Sequence, residues 1–400
     1  MKWLSVIGIG EDGLAGLAPA ARALIDGAEV LVGGARHLAM VPADGRERLT
    51  WTSPLSTLID YIVIRRGTPI CVLATGDPMH YGVGVALTRR IPAEEMTIVP
   101  SPSAVSLACA RLGWAVADIA ALTLHGRPLE LLNAYLQPGG RLIVLSEGAE
   151  TPAAVAGLLR GHGYGLSRMW VLEHMAGSQE RMVAGAAETW QANDIADFNT
   201  IAIECIAGAN IPIMPRVPGL PDGAFHNDGQ LTKREVRSIT LAALAPIPGQ
   251  LLWDVGAGCG SVAIEWMRTH PSCRAVAVER DADRRRLIAD NAAALGVPGL
   301  DIVAGEAPKA LQALPKPDAA FVGGGLSGEG VLESCWSALK PGGRLVANAV
   351  TIEGEAALAA WQGRTGGALT RIAISRTEPI GAYHSWRQSM PVTQLAATKR

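Results

Sequence analysis

Several features that mark specialised proteins are scarce or absent in this 400-residue chain. Its six cysteines form no CxxC pair, so the sequence indicates neither a disulfide framework nor a metal site of the zinc type. No block of five or six like charges occurs, and 35 basic residues nearly balance 37 acidic ones, which argues against nucleic acid as a partner. The first residues lack the apolar run of a signal peptide or membrane span, so we expect a cytoplasmic protein without a membrane partner.

The chain is rich enough in apolar residues to build two hydrophobic cores. Hydrophobic residues make up 49% of it and charged residues 18%, as in globular proteins. Four prolines recur at every third position from Pro212 to Pro221, which predicts an extended segment without helix or central strand. We therefore predict a first domain over 1–210, a proline-rich linker over 211–223 and a second domain over 224–400.

Short apolar runs, many of them β-branched, alternate with longer helical stretches in both halves. The predicted strands of the second half are LLWDVGA, RAVAVE, LDIVAG, DAAFVGG and RLVANAV. Those of the first half are WLSVIGIG, AEVLVGG, PICVLATG, MTIVPS, RLIVLS and SRMWVLEH, and TIAIEC is a further β-rich run. This alternation predicts an α/β fold in each half, with a doubly wound, Rossmann-like sheet in the second.

An acid and three glycines alternate directly after the first strand of the second half, at Asp254, Gly256, Gly258 and Gly260. A dinucleotide-binding loop would place a third glycine or alanine where Ser261 stands. The spacing found here resembles the opening loop of class I S-adenosylmethionine methyltransferases. That cofactor has no pyrophosphate, so its loop needs close backbone approach to an amino acid and a ribose.

The resemblance to class I methyltransferases extends beyond the glycine loop. It implies that Glu279, at the end of the second strand, accepts hydrogen bonds from the ribose hydroxyls. It also implies that Glu306 and Ala307 of the AGEAP stretch lie beside the adenine. The predicted cofactor residues of this half are Thr232, Asp254, Gly256, Ala257, Gly258, Gly260, Glu279, Glu306 and Ala307.

The loop after the fourth strand of the second half differs from that of DNA methyltransferases. Those enzymes carry an Asn/Asp-Pro-Pro-aromatic motif, whereas this chain has VGGGLSG. Gly324 and Gly325 would let the backbone approach a large, flat substrate, and a flexible loop is the alternative.

Three loops of the first half form a second signature. VIGIGEDG, ATGDPMHYG and VPSPSAVS each contain or follow a predicted strand, and Gly-Asp-Pro alone would also suit a plain turn. In this order they resemble the tetrapyrrole methylases, a different fold that binds S-adenosylmethionine in a cleft between two α/β subdomains. SPSA departs from the family's Pro-Gly-Val-Ser/Thr-Ala but keeps its small residues. The resemblance implies cofactor contacts at Ile9, Gly10, Gly76, Asp77, Ser103 and Ala104.

Three further stretches of sequence resemble particular branches of these two families. VGGARHL and TLHGRP are similar to the cobalamin-pathway branch of the tetrapyrrole methylases, and GQLTKREVR is similar to the entry segment of its class I partner. A chain with both halves resembles the fused precorrin C5,15-methyltransferases (decarboxylating) of corrin-ring synthesis. This implies two S-adenosylmethionine sites, one per domain, and a tetrapyrrole substrate. It also implies C5 methylation by the first half, and C15 methylation with decarboxylation of a ring acetate by the second.

The implied chemistry depends on positioning and exclusion of water, and it needs neither a catalytic triad nor a metal. Because a precorrin is a polycarboxylate, Arg36, Arg127 and Arg237 are predicted to bind it, with a surface ion pair as the alternative for each. His125 could protonate or orient a substrate group as a catalytic residue, and the alternative is a hydrogen-bonded turn residue. We assign His37 a structural role.

Two alternatives to this function remain. The first fold also occurs in a ribosomal RNA ribose methylase, so an RNA-modifying fusion is one of them, although the chain lacks aromatic-basic clusters. The other is that one half only binds the cofactor and regulates, and its intact glycine loops argue against that. The small-residue surface would permit a homo-oligomer.

Overall fold

The computed structural model describes residues 2–326 and 328–400, and the chain forms two compact units. The first unit runs up to Arg127 and continues over Gln137–Ile211. The second comprises Pro128–Leu136 and Pro212–Arg400. Sheets with helices packed on them make up both units, which confirms the predicted α/β fold class.

A wholly parallel five-stranded sheet opens the first unit, in the order β3-β2-β4-β1-β5. Its strands are β1 (Leu4–Ile9), β2 (Val30–Gly33), β3 (Glu47–Thr50), β4 (Ile70–Thr75) and β5 (Met96–Val99). The helices of this region are α1 (Pro19–Asp26), α2 (Ala35–Ala39), α3 (Leu55–Ile64) and α4 (Val83–Thr88). The inner strands are buried over almost their whole length, which is why their sequences read as continuous apolar runs.

The second sheet of the first unit is mixed and has the order β6-β7-β10-β8-β9, with only β6 and β7 parallel. Its strands are β6 (Ala120–Thr123), β7 (Arg141–Leu145), β8 (Arg168–Glu173), β9 (Arg181–Ala186) and β10 (Asn199–Glu204). Helices α5 (Ala104–Leu112) and α6 (Thr151–Gly161) belong to this region. The sequence did not predict β3, β6 and β9, which are edge strands that are buried over only part of their length or not at all.

Seven strands form the main sheet of the second unit, in the order β13-β12-β11-β14-β15-β19-β16, with β19 antiparallel to both neighbours. They are β11 (Leu251–Val255), β12 (Arg274–Glu279), β13 (Asp301–Ala304), β14 (Ala319–Val322), β15 (Arg344–Ala349), β16 (Ala368–Ile372) and β19 (Val392–Thr398). The helices are α7 (Arg234–Leu244), α8 (Ser261–Thr269), α9 (Ala282–Ala294), α10 (Val331–Ala338) and α11 (Ile352–Thr365). An exposed hairpin of β17 (Ser375–Ile380) and β18 (Tyr383–Gln388) stands apart from the main sheet.

The proline-rich segment contains no helix or strand up to Asp222, yet it is bound to the second unit. The buried carboxylate of Glu265 accepts the backbone N–H groups of Gly219 at 2.6 Å and Leu220 at 3.1 Å. The buried guanidinium of Arg268 donates to the carbonyl of Met214 at 2.8 Å. The segment therefore packs along α8 as part of the second unit, and the domain boundaries stated above stay a prediction.

Residues Pro128–Leu136 come from the middle of the first half of the sequence but pack with the second unit. The side-chain amide of Asn133 donates to the Ala293 carbonyl on α9 at 3.1 Å. The guanidinium of Arg216 lies 4.9 Å from the centre of the Tyr135 ring. The stretch forms a 3-10 helix over Leu129–Tyr135. It has no α-helical or strand periodicity, so the sequence did not indicate that it packs with the second unit.

None of the helices in residues 2–326 and 328–400 is long and apolar enough to cross a membrane. Over the same residues, no three His, Cys, Asp or Glu side chains are grouped so that they could hold a metal ion. The six cysteines are buried free thiols, and burial raises the pKa of Cys71, Cys205 and Cys335 to about 12. These three thiols are therefore protonated at neutral pH.

Candidate active sites

A cavity of about 600 Å³ lies within the first unit. The loops after β1 and β4 and the start of α5 line one side of it, through Gly10, Gly76 and Ala104. The loops after β7 and β8 contribute further lining residues from the second sheet. Because β1 and β4 are parallel neighbours, their carboxyl ends bring two of these loops to the same edge.

Three loops meet tightly at the base of this cavity. Gly8 is so close to the next loop that a Cβ on it would lie 1.8 Å from the Gly76 carbonyl oxygen. The Ser101 hydroxyl donates to the Gly8 carbonyl at 2.7 Å, and the Ser101 N–H donates to the Gly76 carbonyl at 3.1 Å. The junction depends on a residue without a side chain at position 8.

The structure brings most of the predicted cofactor residues of the first half together. The cavity is lined by Gly10, Gly76, Asp77, Ser103 and Ala104. Ile9 is fully buried and is not among the lining residues, although its carbonyl accepts the Gly76 N–H at 3.1 Å. Asp77 and Ser103 use side-chain oxygens locally, to hold the turn after β4 and to cap α5. Their cofactor contacts stay predictions.

A charged cluster that the sequence analysis did not identify faces the same cavity. Glu11 follows Gly10, forms an ion pair with Arg36, and has its Oε2 3.1 Å from Nδ1 of His174. The Arg36 guanidinium also lies 4.2 Å from the centre of the Phe198 ring. Burial lowers the pKa of Arg36 from its ordinary value.

His37 belongs to this site although the sequence analysis assigned it a structural role. Its Nε2 lies 2.9 Å from the Thr75 hydroxyl and 3.2 Å from an Arg36 nitrogen, and all three residues line the cavity. Burial, and then the charge of Arg36, lower the pKa of His37 to about 4. The imidazole is therefore neutral at physiological pH.

His125 and Arg127 lie on the loop after β6. His125 lines the cavity, but its side chain is 76% exposed and its Nδ1 is 3.6 Å from the Glu147 carboxylate. Arg127 lies 5.7 Å from the centre of the ring of Tyr81, which also lines the cavity. Their roles toward substrate, like that of Arg36, stay predictions.

The glycine loop after β11 forms the candidate site of the second unit. The Asp254 carboxyl is fully buried, and its Oδ2 accepts the Ala263 N–H at 3.0 Å. Glu279, also buried, accepts the N–H groups of Gly258 at 2.9 Å and Asp281 at 3.0 Å. Two carboxylates thus lie beside a loop whose backbone they help to position.

Gly256 allows this loop to contact the one that follows β14. Its φ is +69°, and a Cβ on it would lie 2.7 Å from the Gly324 carbonyl oxygen. Gly324 therefore packs against the glycine loop, whereas nothing lies within 4 Å of a Cβ built on Gly325. Ser327 of the same loop lies outside the described residues.

The remaining residues of the second half that are predicted to bind the cofactor lie in different surroundings. The carbonyl of Gln230 lies 3.3 Å from a Cβ built on Gly258, so the entry segment that includes Thr232 passes beside the loop. Glu306 is 70% exposed and pairs with Arg280 at 3.0 Å. No contact of Ala257 or Ala307 tests its predicted role, so these cofactor assignments stay predictions.

The prediction that Arg237 binds substrate is wrong, because the side chain of Arg237 is fully buried and cannot contact a substrate. Its Nε donates to Glu265 at 2.6 Å, and its other nitrogens bond to Asp222 and to the carbonyls of Thr232 and Leu220. A guanidinium carries five donors, and these partners accept from four of them inside the protein. Arg237 therefore joins the proline-rich segment to α7 and α8.

Comparison with known proteins decides the family. The family described as Tetrapyrrole (Corrin/Porphyrin) Methylases matches residues 4–190, and the one described as Precorrin methyltransferase domain matches residues 223–399. A Sinorhizobium protein named precorrin-6Y C(5,15)-methyltransferase [decarboxylating] is 48% identical over 398 residues, covering 99% of this chain and 96% of the relative. The chain belongs to this family. It is a decarboxylating methyltransferase, and the comparisons do not support the RNA alternative.

Shorter relatives match parts of this chain. A Salmonella typhimurium cobalt-precorrin-7 C(5)-methyltransferase is 35% identical over 179 residues, which is 45% of this chain and 88% of that protein. From the same organism, a cobalt-precorrin-6B C(15)-methyltransferase (decarboxylating) is 33% identical over 173 residues, 42% of this chain and 89% of that protein. The C5 and C15 activities are thus named for two separate proteins in Salmonella, and each of these proteins matches less than half of this chain.

The family relationship supports S-adenosylmethionine as the methyl donor, and the residues of both sites fit this cofactor. In the second unit, Asp254 Oδ1 is buried without a hydrogen-bond partner and so could accept from a cationic amine. Glu279 could accept ribose hydroxyls with its remaining lone pairs. In the first unit, a cavity of about 600 Å³ is large enough for a nucleoside joined to an amino acid.

Asp254 should make the cofactor-free second unit less stable as pH rises. Burial, followed by the nearby Glu279 charge, raises the pKa of Asp254 to about 7, whereas the unfolded carboxyl titrates near 3.8. Between these values the unfolded state releases a proton that the folded state keeps, so the free energy of unfolding falls, by roughly 4 kcal/mol in full.

Hydrogen exchange of β11 amides at pH 4.5 and pH 8 measures this effect. We expect the β11 amides to lose protection at pH 8 in the wild type but much less in Asp254→Asn, which has the same shape and no titration. Equal pH dependence in the two proteins would contradict the assignment to Asp254.

Proposed function

We propose that this enzyme uses S-adenosylmethionine at two sites to methylate a precorrin at C5 and C15 and to remove carbon dioxide from a ring acetate. The first unit methylates C5, and the second methylates C15 and decarboxylates. The observation that carries this proposal is that each unit has its own glycine-loop site with buried or half-buried carboxylates. The separate C5 and C15 enzymes among the relatives support the division.

The names of the two Salmonella relatives also support an order of reaction. The C15 enzyme is named for cobalt-precorrin-6B and the C5 enzyme for the later-numbered cobalt-precorrin-7. We therefore propose that the second unit acts first and that its product passes to the first unit.

Positioning by the protein explains most of the chemistry. Bound S-adenosylmethionine supplies an electrophilic methyl group on a sulfonium. In the second unit, Glu279 holds the glycine loop and would hold the ribose, while Asp254, with Oδ1 unpartnered beneath that loop, would accept from the cationic amine. In the first unit, Arg36 faces the cavity and can pair with a ring carboxylate, since its planar guanidinium suits two oxygens. Decarboxylation needs an electron sink, which the conjugated ring itself provides.

Titration calorimetry with S-adenosylmethionine tests the two-site proposal. The wild type should bind two equivalents. Glu279→Ala should weaken one site by roughly ten- to a hundredfold, because it removes a charge-assisted contact worth about 1.5 to 3 kcal/mol. The exposed Glu353 on α11 provides the matched control, and Glu353→Ala should keep both sites. One equivalent in the wild type would contradict the proposal.

A cytoplasmic location, the exclusion of nucleic acid as a partner and the formation of a homo-oligomer stay predictions. Among the substrate residues, we retain Arg36 and Arg127, and withdraw Arg237. Gly325 stays a candidate for substrate approach because the space around it is open.

A further inference from the structure

Replacing the hydrogen of a meso carbon by methyl requires the removal of one proton. The new C–C bond forms as the sulfonium S–CH3 bond breaks, and the electron pair of that bond stays on sulfur. The hydrogen then leaves the ring carbon as a proton, and its bonding pair restores the conjugation of the ring. A base that faces the substrate cavity completes the step.

We infer that His174 is this base for C5 methylation in the first unit and that Glu11 orients it. The inference rests on the function proposed above and adds a catalytic residue to it. His174 directly follows β8 and lines the cavity, with its side chain 24% exposed. It can therefore contact substrate while most of the ring is held by protein.

The contact with Glu11 determines which nitrogen of His174 can accept a proton. Oε2 of Glu11 lies 3.1 Å from Nδ1 of the ring. A carboxylate only accepts hydrogen bonds, so Nδ1 carries the hydrogen and donates it. In the neutral ring Nε2 then holds a lone pair, and no hydrogen bond from the described residues occupies it. The pair has the arrangement of a carboxylate-oriented general base.

Glu11 also links the base to the methyl-donor site. It follows Gly10, which lies in the loop predicted to hold the cofactor. Arg36 pairs with Glu11 and stabilises its negative charge. The Phe198 ring lies 5.8 Å from the His174 ring and packs against Arg36, so the three side chains restrain one another.

The backbone holds His174 in an unfavourable conformation. Its φ is +45° and that of Ala176 is +68°, in the left-handed region that residues with side chains rarely adopt. The turn is held by Glu180, which accepts the Ala176 N–H at 2.6 Å and pairs with Arg111 at 2.7 Å. Such strain persists where the surroundings enforce it, and it is concentrated at functional sites.

The other histidines of the cavity are less suited to accept the proton. His80 stacks on Tyr81 with the ring centres 5.1 Å apart, and no carboxylate of the described residues orients it. Nε2 of His37 is occupied by Thr75 and Arg36. His125 is 76% exposed and lies 3.6 Å from its carboxylate partner, so its ring is less firmly oriented. Charged and titratable groups around His174 that influence the pH dependence are Glu11, Arg36, His37, Asp77, His80, Arg111, His125, Glu147, Glu180 and Asp197.

The test uses His174→Gly in the full-length enzyme, because glycine accepts the positive φ and leaves a space for free imidazole. With precorrin-6Y and 13C-methyl S-adenosylmethionine, the variant should still methylate C15 and decarboxylate. We expect transfer to C5 to fall about 100-fold. Added imidazole should restore part of that rate. The pH profile of C5 transfer should lose its acidic limb without imidazole.

His162→Gly is the matched control, because His162 is an exposed histidine at the end of α6, away from the cavity. It should retain both transfers. Two measurements do not depend on turnover. Titration calorimetry should give His174→Gly the same two S-adenosylmethionine affinities as wild type within about threefold. Nitrogen-15 NMR should show the Nδ1–H form of His174 in wild type and its loss from Glu11→Ala.

The outcomes separate this inference from the function on which it rests. If the wild type transfers no methyl to C5, the proposed function fails. If His174→Gly transfers methyl to C5 at the wild-type rate, the base is another group and the inference is overturned. Loss of C5 transfer that imidazole cannot restore at any concentration would assign His174 a structural role and would also overturn it.

Discussion

Gly256→Ala is expected to slow C15 methylation and decarboxylation about 100-fold, and Gly8→Ala is expected to leave a product that lacks only the C5 methyl. Each new Cβ would meet backbone, at 2.7 Å from the Gly324 oxygen and 1.8 Å from the Gly76 oxygen. Backbone cannot rotate away as a side chain can, so the affected loop must move. A displacement of about 1 Å at a reacting centre can cost roughly 100-fold in rate.

Mass spectrometry and carbon-13 NMR of products made with labelled S-adenosylmethionine would distinguish the two variants. An equal mixture of the variants should form the complete product, because the intermediate released by Gly8→Ala is the substrate that the first unit of Gly256→Ala still accepts. Decarboxylation by Gly256→Ala at the wild-type rate, or loss of decarboxylation in Gly8→Ala with the second site still binding cofactor, would contradict the division of labour.

A second pair of variants protects this test against misfolding. Gly258→Arg adds a long side chain beside Glu279; the nearest atom to its Cβ is 3.3 Å away, so the new strain comes from the φ of +61° and not from a severe backbone contact. Asp77→Arg places a cation in the first cavity, near a sulfonium that is already positive. Both should reproduce the product pattern of the glycine variant in the same unit.

Arg237→Ala should lower the free energy of unfolding of the second unit by about 3 to 5 kcal/mol, the usual effect of leaving a buried partner charge unpaired. The Glu265 carboxylate would lose its 2.6 Å ion pair while remaining buried. It would still have to hold the N–H groups of Gly219 and Leu220. The proline-rich segment should therefore loosen together with α7.

Urea unfolding monitored by hydrogen exchange of α8 amides would measure the loss. Arg234→Ala, on an exposed position of the same helix, is the matched control and should change the stability by less than about 0.5 kcal/mol. A stable Arg237→Ala protein with only a raised KM for precorrin would instead restore the substrate role that the buried position excludes.

Strands that are buried on both faces could be predicted from the sequence, because their apolar runs are continuous. The runs LLWDVGA and RAVAVE became β11 and β12, and PICVLATG became β4. Exposed strands such as β16, β17 and β18 were missed, because their side chains contact solvent and leave no apolar pattern. Pairing with other strands, and not composition, makes these segments extended.

The sequence by itself determined the family and the positions of both glycine loops, because close backbone approach requires glycine at set spacings. Only the tertiary structure decided which charged residues face the cavity of the first unit. Arg237 and Arg36 are both arginines near such loops, yet one is enclosed by Glu265 and backbone carbonyls while the other faces the cavity. Glu11 and His174 are 163 positions apart, and only folding brings a carboxylate and an imidazole to 3.1 Å. Burial and long-range contact are properties of the packed chain, and no local pattern encodes them.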